Sequence, residues 1–307
     1  RAKRVPYVDL MSPMTAAYDA SETPLTINSI HLNENGNRAL AKVIDTALFA
    51  NGPAPRASAQ WQARMRVQIL DKNLHWFNRY RATDGYNVYG GRSHLKFTDG
   101  ITNRTVLQRE MEILDAMCND KDRAIWAFAQ GREPGAIKST APPPIRVKTN
   151  KRGKGPDGTH TYLDATEAIE LMKPAPGMQV NLFADEQQFP VLANPVQMAW
   201  DTRGRLWVAA WPTYPHWEPG QPMNDKLLIL EDTDGDGKAD ACKVFADDLH
   251  NPTGFEFWNG GVIVASCPDL LFLKDTDGDD RYDVRERILH GLGSEDTHHS
   301  ANSFVLD

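Results

Sequence analysis

The spacing of apolar residues changes partway along the chain, and two kinds of secondary structure follow from it. A short apolar run from Val5 to Leu10 reads as a strand, and the rest of the first 140 or so residues carries helical periodicity. Leu40, Val43, Ile44, Ala47 and Leu48 share one face of a helix that follows Asn33 to Gly36 and stops at Asn51-Gly52, a pair suited to a left-handed cap. A second helix carries Trp61, Met65, Ile69, Phe77 and Tyr80. A third carries Val106, Leu107, Met111, Leu114 and Met117, with Glu110, Glu112 and Asp115 outward, and a fourth runs to Gly131. After Pro174 the chain becomes short β-rich runs, Gln179 to Phe183, Leu206 to Ala209 and Gly261 to Ala265, punctuated by Gly, Asp, Asn and Pro.

Between these halves, Lys138 to Lys154 holds six basic side chains, no acid and three consecutive prolines, Pro142 to Pro144. Such a stretch can neither continue a helix nor supply a core. No aromatic residues interleave with its charges, so it reads as a solvated spacer, not a base-stacking patch. The division that follows is 1–137, a linker over 138–173, and 174–307.

The second half repeats. Leu228-Ile229-Leu230-Glu231-Asp232-Thr233-Asp234-Gly235-Asp236 recurs as Leu271-Phe272-Leu273-Lys274-Asp275-Thr276-Asp277-Gly278-Asp279, displaced by 43 residues. Asn194-Pro195 ahead of one strand is echoed by Asn251-Pro252 ahead of another. A period of about 40–50 residues is that of a β-propeller blade, and two to three blades would fit in this length.

Composition narrows the classes. With 41% hydrophobic residues, 8 Trp, 8 Tyr and 11 Phe, the chain has a folding composition. A net charge of -7 argues against binding nucleic acid through overall charge, and no apolar stretch approaches the ~20 residues of a bilayer span. Cys118, Cys242 and Cys267 form no redox, haem or zinc pattern. Buried thiols are the simpler reading, with a Cys242–Cys267 pair as the alternative. The start at Arg1 and the strand-like end, Ser303 to Asp307, read as a fragment open on both sides.

Candidate chemistry lies first in the two repeated acidic turns. A calcium loop places oxygens at positions 1, 3, 5, 7 (by backbone), 9 and 12, with a sharp turn at 6. The first turn offers Asp232, Asp234, Asp236, the Lys238 carbonyl and Asp240, with Gly237 at the turn and Lys243 at position 12. The second offers Asp275, Asp277, Asp279, the Arg281 carbonyl, Asp283 and Glu286, with Asp280 at the turn. Clustered carboxylates repel one another, and Ca²⁺ would reverse that cost. The simpler alternative is that Asp-Gly makes hairpin turns with solvated acids.

His31 is the next candidate, in Asn28-Ser29-Ile30-His31-Leu32-Asn33-Glu34-Asn35-Gly36. This segment resembles the last block of the SGNH/GDSL hydrolase family, D-x-x-H-L-N-x-x-G. The resemblance implies that residues 1–137 are the C-terminal end of an α/β SGNH domain with a helical extension. It also implies that His31 takes a proton from an upstream serine, oriented by the residue three positions earlier, here Asn28 in place of Asp.

Pro176-Gly177-Met178-Gln179-Val180, Gly204 to Ala209 and the Asp-Thr-Asp-Gly turns resemble the propellers of the soluble quinoprotein (PQQ) sugar dehydrogenase family. The likeness is greatest to the planctomycete and verrucomicrobial type fused to other modules. It implies the first two to three blades of an all-β propeller, pyrroloquinoline quinone and Ca²⁺ as cofactors, and His299 as the base that accepts a sugar hydroxyl proton. Ser300 and Ala301 replace the family's Asn-Gly after that His. The same likeness implies a periplasmic or envelope location, sugars or acylated carbohydrates as ligands, and a redox partner such as a cytochrome domain. Trp211, Tyr214, His216 and His298 would line the substrate pocket, a packed sheet edge being the simpler reading of the aromatic cluster. The function expected is a sugar or alcohol dehydrogenase-like propeller fused to an esterase-like module. The alternatives are a non-catalytic, calcium-stiffened carbohydrate-binding propeller and an ester hydrolase with an accessory propeller.

Overall fold

The computed structural model describes residues 7–50, 58–82, 84–148, 153, 155–156, 160–214 and 217–304. The chain divides into two compact units, Arg1–Ala59 and Gln60–Asp307. The sequence boundary at 137 therefore falls inside the second unit.

In the first unit, α1 (Met11–Ala20) and α2 (Glu34–Phe49) are joined by a segment with one isolated bridge, Thr26 to Leu32. Asn33 caps α2, its side chain accepting from the Gly36 N–H at 3.0 Å. Gly36 is buried against the Leu25 carbonyl, where a Cβ would stand 2.0 Å from the oxygen, so no larger residue fits. Residues 7–10 form no strand, and the expected Asn51-Gly52 cap lies outside the described residues. The N-terminal part is thus helical, with no α/β sheet among its described residues.

The second unit takes in α3 (Ala59–Tyr80) from its second residue, then α4 (Tyr86–Tyr89) and α5 (Asn103–Ala129). The third and fourth helices expected from the sequence are this one α5, since no Gly or Pro interrupts residues 103–129. Helix α5 buries Met111, Ile113, Leu114, Ala124 and Phe128. Against α3, Arg79 pairs with Asp115 at 2.7 Å and the Trp61 indole donates to the Phe128 carbonyl at 3.0 Å. A short helix, α6 (Ala165–Glu170), lies within the expected linker and is closed by a capping box between Asp164 and Glu167. No helix is long and apolar enough to cross a membrane among the described residues.

Eight strands follow as two four-stranded antiparallel sheets, each in simple sequence order. The first sheet holds β1 (Pro195–Trp200), β2 (Leu206–Ala210), β3 (Asp225–Glu231) and β4 (Ala241–Leu249). The second holds β5 (Pro252–Trp258), β6 (Gly261–Ser266), β7 (Asp269–Lys274) and β8 (Val284–His290). Asn194 and Asn251 both adopt left-handed backbone, φ 50° and 44°, directly before the Pro that opens each sheet, so the echoed dipeptides occupy one structural position. Their spacing exceeds that of the acidic turns because β2–β3 is bridged by residues 211–224, whereas only Cys267-Pro268 separate β6 from β7.

Alternation along β2 and β3 splits the apolar side chains between two cores. Trp207, Ala209, Leu227 and Ile229 face the second sheet and meet Phe255, Val262, Val264, Leu271 and Leu273. Leu206, Val208, Ala210, Leu228 and Leu230 face the other way and are covered by Phe183, Phe189, Val191 and Leu192. Gln179 to Phe183 is therefore a covering segment and not the expected strand. The Ala239 N–H donates to the Phe183 carbonyl at 2.8 Å, and the Phe183 ring lies edge-on to Trp200 of β1 with centroids 5.4 Å apart. Residues 303–304 are likewise not a strand, and 305–307 lie outside the described residues. Cys242 and Cys267 are free and occupy different sheets, Cys242 in β4 and Cys267 just after β6. Burial pushes the Cys242 thiol up to about 11, so it is an inert packing residue.

Candidate functional site

The acidic turns occupy the same place in each sheet, joining its third and fourth strands. In the first, Asp232 accepts from the N–H groups of Gly235 (2.7 Å) and Gly237 (2.9 Å), Asp234 from Asp236 (3.1 Å) and Asp236 from Lys238 (2.8 Å). In the second, Asp275 accepts from Gly278 (2.7 Å) and Asp280 (2.9 Å), Asp277 from Asp279 (3.3 Å) and Asp279 from Arg281 (2.7 Å). Asp240 closes the first turn by accepting from the Thr233 backbone and hydroxyl, both at 2.6 Å. Asp283 does the same for Thr276 at 3.1 and 2.7 Å. These threonine hydrogen bonds hold both carboxyls below the usual carboxylate range.

Within the turns, single oxygens of Asp232, Asp234 and Asp236 lie within 4.8 Å of one another, as do those of Asp275, Asp277 and Asp283. Three carboxylates around one point are hard oxygen donors of the kind Ca²⁺ takes. Of the other expected ligands, Asp240, Asp279 and Glu286 stand outside these triads. Glu286 lies on β8 opposite Phe272, and the Arg281 guanidinium is 3.6 Å from Asp247.

The two residues that break the calcium-loop pattern meet each other. Lys243 Nζ is 2.6 Å from Asp280 Oδ2 and 2.9 Å from Glu231 Oε2. Arg205 Nη1 reaches the other Asp280 oxygen at 2.6 Å, while its Nε is 2.8 Å from Asp201, which also accepts from the Trp207 indole at 3.0 Å. The clasp joins the first sheet to the turn of the second. Burial works against the Asp280 charge, but the Lys243 and Arg205 hydrogen bonds prevail and hold its carboxyl below the ordinary value. Pattern reading missed this clasp, although Arg205 lies in a motif the sequence singled out.

The histidines are separate. Asn28 Oδ1 accepts from the His31 N–H at 2.9 Å and lies 3.1 Å from His31 Nδ1, on an exposed loop. His299 closes a 3-10 turn, Thr297–His299, with Nδ1 3.1 Å from Asp296 Oδ2 and a side chain 78% exposed. Arg92, far away in sequence, binds the same Asp296 oxygen. Trp211 is buried, its indole donating to the Pro252 carbonyl at 3.1 Å and its ring stacked on Tyr214 with centroids 6.1 Å apart, which is a packed edge. His216 and the side chain of His298 lie outside the described residues.

Residues 164–306 match a domain of unknown function, DUF7133. No curated protein matches the chain. A solved structure from Trichoderma reesei, described as a carbohydrate-active enzyme of family AA12, aligns at 15% identity with a TM-score of 0.26, over 33% of this chain and 24% of that one. A likeness of that extent fixes neither fold nor activity.

Proposed function

We propose that residues 174–307 are the opening blades of a β-propeller whose acidic turns hold Ca²⁺, and that the domain serves as a carbohydrate-binding scaffold. The observation carrying the propeller and calcium parts of this reading is the repetition: two sheets of the same strand order, each opened by a left-handed Asn before Pro and each carrying the same hydrogen-bonded acidic turn between its third and fourth strands. The carbohydrate part rests on the resemblance of these motifs to sugar dehydrogenase propellers. A ring of such sheets buries a continuous core between neighbours, as the Trp207–Phe255–Leu271 cluster does here. Bound Ca²⁺ would offset two of the three carboxylate charges in each turn and stiffen the hairpin between the third and fourth strands.

The test is thermal denaturation of the 307-residue chain with Ca²⁺, with Mg²⁺ and after chelation. A ligand at 100 times its Kd stabilises by about 2.7 kcal/mol, so a reversible rise in Tm with Ca²⁺ is expected, absent from an Asp234→Asn, Asp277→Asn double variant. An equal response in that variant, or none in the wild type, overturns the calcium part.

A second reading, the sugar dehydrogenase, is favoured by the Asp296–His299 pair, which leaves the far ring nitrogen of His299 open as a general base. Pyrroloquinoline quinone is a polycarboxylate, however, and Arg92, the guanidinium that reaches this pair, is held by Asp296. With His299 open to solvent as well, the residues around it do not fit that cofactor. Dye reduction with aldoses after addition of quinone and Ca²⁺ separates the two: turnover lost in His299→Ala establishes the dehydrogenase, and no turnover leaves the scaffold.

A further inference from the structure

The C-terminal end of α3, the α4 turn and residues 292–295 line a half-open cavity of about 420 Å³, within the ~300–1,000 Å³ range of small-molecule pockets. Its frame is fixed by two backbone hydrogen bonds, from Asp84 N–H to the Ser294 carbonyl and from Tyr86 N–H to the Glu295 carbonyl, both 2.8 Å. Tyr80, Tyr89, Met111 and Leu292 give it apolar surface, and Arg81 and Glu295 give it one charge of each sign.

The tyrosines are unusually exposed, Tyr80 at 61% and Tyr89 at 73%. Each is overlaid by a guanidinium, Arg79 at 5.1 Å from the Tyr80 ring centre and Arg104 at 6.0 Å from that of Tyr89. Such cation–π contacts are weak at exposed sites, but they bias each ring toward one pose and so reduce the ordering a ligand must impose. Arg79 is neutralised by Asp115 at 2.7 Å, whereas Arg81 and Glu295 have no ion-pair partner among the described residues.

The Tyr80 ring also packs against Trp76, with centroids 4.8 Å apart, so Tyr89 offers the more open ring; beside Arg81 and Glu295 it suits a ligand with an apolar face and a rim of hydroxyls. A pyranose has both. With one charge of each sign, Arg81 and Glu295 give the lining no net preference for an anion or a cation, and a net charge of -7 argues against polyanions. We propose that this cavity is a subsite for a neutral pyranose unit, with Tyr89 as the stacking platform, Tyr80 as an apolar wall held by Trp76 and Arg79, and Arg81 and Glu295 bonding its hydroxyls. The assignment rests on the carbohydrate-binding reading and places its contact on the helical segment, away from the acidic turns.

The experiment is saturation-transfer NMR and calorimetric titration of the 307-residue chain with cellohexaose, xylohexaose, mannohexaose and hexagalacturonate, repeated with Tyr89→Ala and Arg81→Ala. Both side chains are exposed, so the variants should melt as the wild type does. Binding of at least one neutral hexasaccharide is expected, weakened about five-fold or more by each substitution, the size of one lost stacking or charged hydrogen-bond contact. Neutral-sugar binding unchanged in both variants removes this subsite and leaves the carbohydrate-binding reading standing. No binding of any hexasaccharide removes both. Tighter binding of hexagalacturonate overturns the neutral assignment.

Discussion

Replacing Asp280 by Asn isolates the charge of the inter-sheet clasp. Asn tolerates the left-handed backbone at this position, φ 64°, and keeps an acceptor of the same shape, so what is lost is the negative charge. Asp280 is 12% exposed and touches two cations at 2.6 Å. Opposite charges about 4 Å apart gain about 4 kcal/mol at an effective dielectric near 20, and desolvation returns part of that. Arg205 keeps Asp201 and Glu231, and Lys243, being 42% exposed, keeps Glu231 and water. The net cost expected for Asp280→Asn is therefore about 2 kcal/mol, below the ~3–5 kcal/mol of a fully buried pair broken on one side.

Urea denaturation of wild type, Asp280→Asn, Lys243→Met and the double variant supplies the assay, since a coupling energy near 1 kcal/mol isolates the Lys243 contact. The pH dependence adds a sign. The folded carboxyl of Asp280 lies below its unfolded value, so its contribution is complete above pH ~4 and disappears as the pH falls through the folded pKa. Wild type should lose stability in that acid range more steeply than Asp280→Asn. Additive single substitutions, or an Asp280→Asn protein as stable as wild type, would refute the clasp.

Other outcomes follow from buried groups. His75 is 6% exposed between α3 and α5, with Nε2 3.4 Å from Asp71 and Nδ1 unbonded. Burial lowers its pKa from 6.5, more than the nearby Asp71 raises it, and the Lys121 charge lowers it further. The unfolded chain thus binds the proton first, so stability should fall as the pH drops below 6.5, and His75→Leu should flatten that fall; identical pH profiles would contradict it. Trp211→Ala should cost about 3–5 kcal/mol and Tyr214→Ala, 42% exposed, under ~1 kcal/mol. Equal losses would place Trp211 outside the core.

The inner strands could be read from the chain because β2 and β3 are buried on both faces, which makes Leu206 to Ala210 and Leu227 to Leu230 unbroken apolar runs. The acidic turns could be read because their chemistry is local: Asp232 and Asp234 accept from backbone N–H groups two to five residues on, and Asp240 from one seven residues back. Gln179 to Phe183 has strand-like residues yet covers a sheet without joining one, a choice made by tertiary packing. The contacts that tie the helical segment to the sheets were out of reach for the same reason. Arg92 and Asp296 lie 204 residues apart, and nothing near either forecasts the other.

The departures of the two acidic turns from the calcium pattern show how local and distant demands compete. Read alone, each turn breaks the pattern in its own way, with a cation at position 12 in one and a non-glycine at position 6 in the other. In three dimensions the two are partners, 2.6 Å apart. Lys243 gives up the place of a bidentate acid, and Asp280 takes a left-handed backbone that costs about 1–2 kcal/mol for most residues and less for Asp. What they form is an ion pair between the sheets, added to the apolar core they share. Glu286, which keeps the acidic identity at position 12, lies on β8 outside the second triad, so each turn presents three clustered carboxylates. Affinity in such loops rises with the number of charged ligands, so both turns should bind Ca²⁺ near the weak end, about 10⁻⁴–10⁻³ M, and not in the micromolar range of sensors. A measured Kd below ~10⁻⁶ M would mean that further ligands close in, and that the triads are not the complete sites.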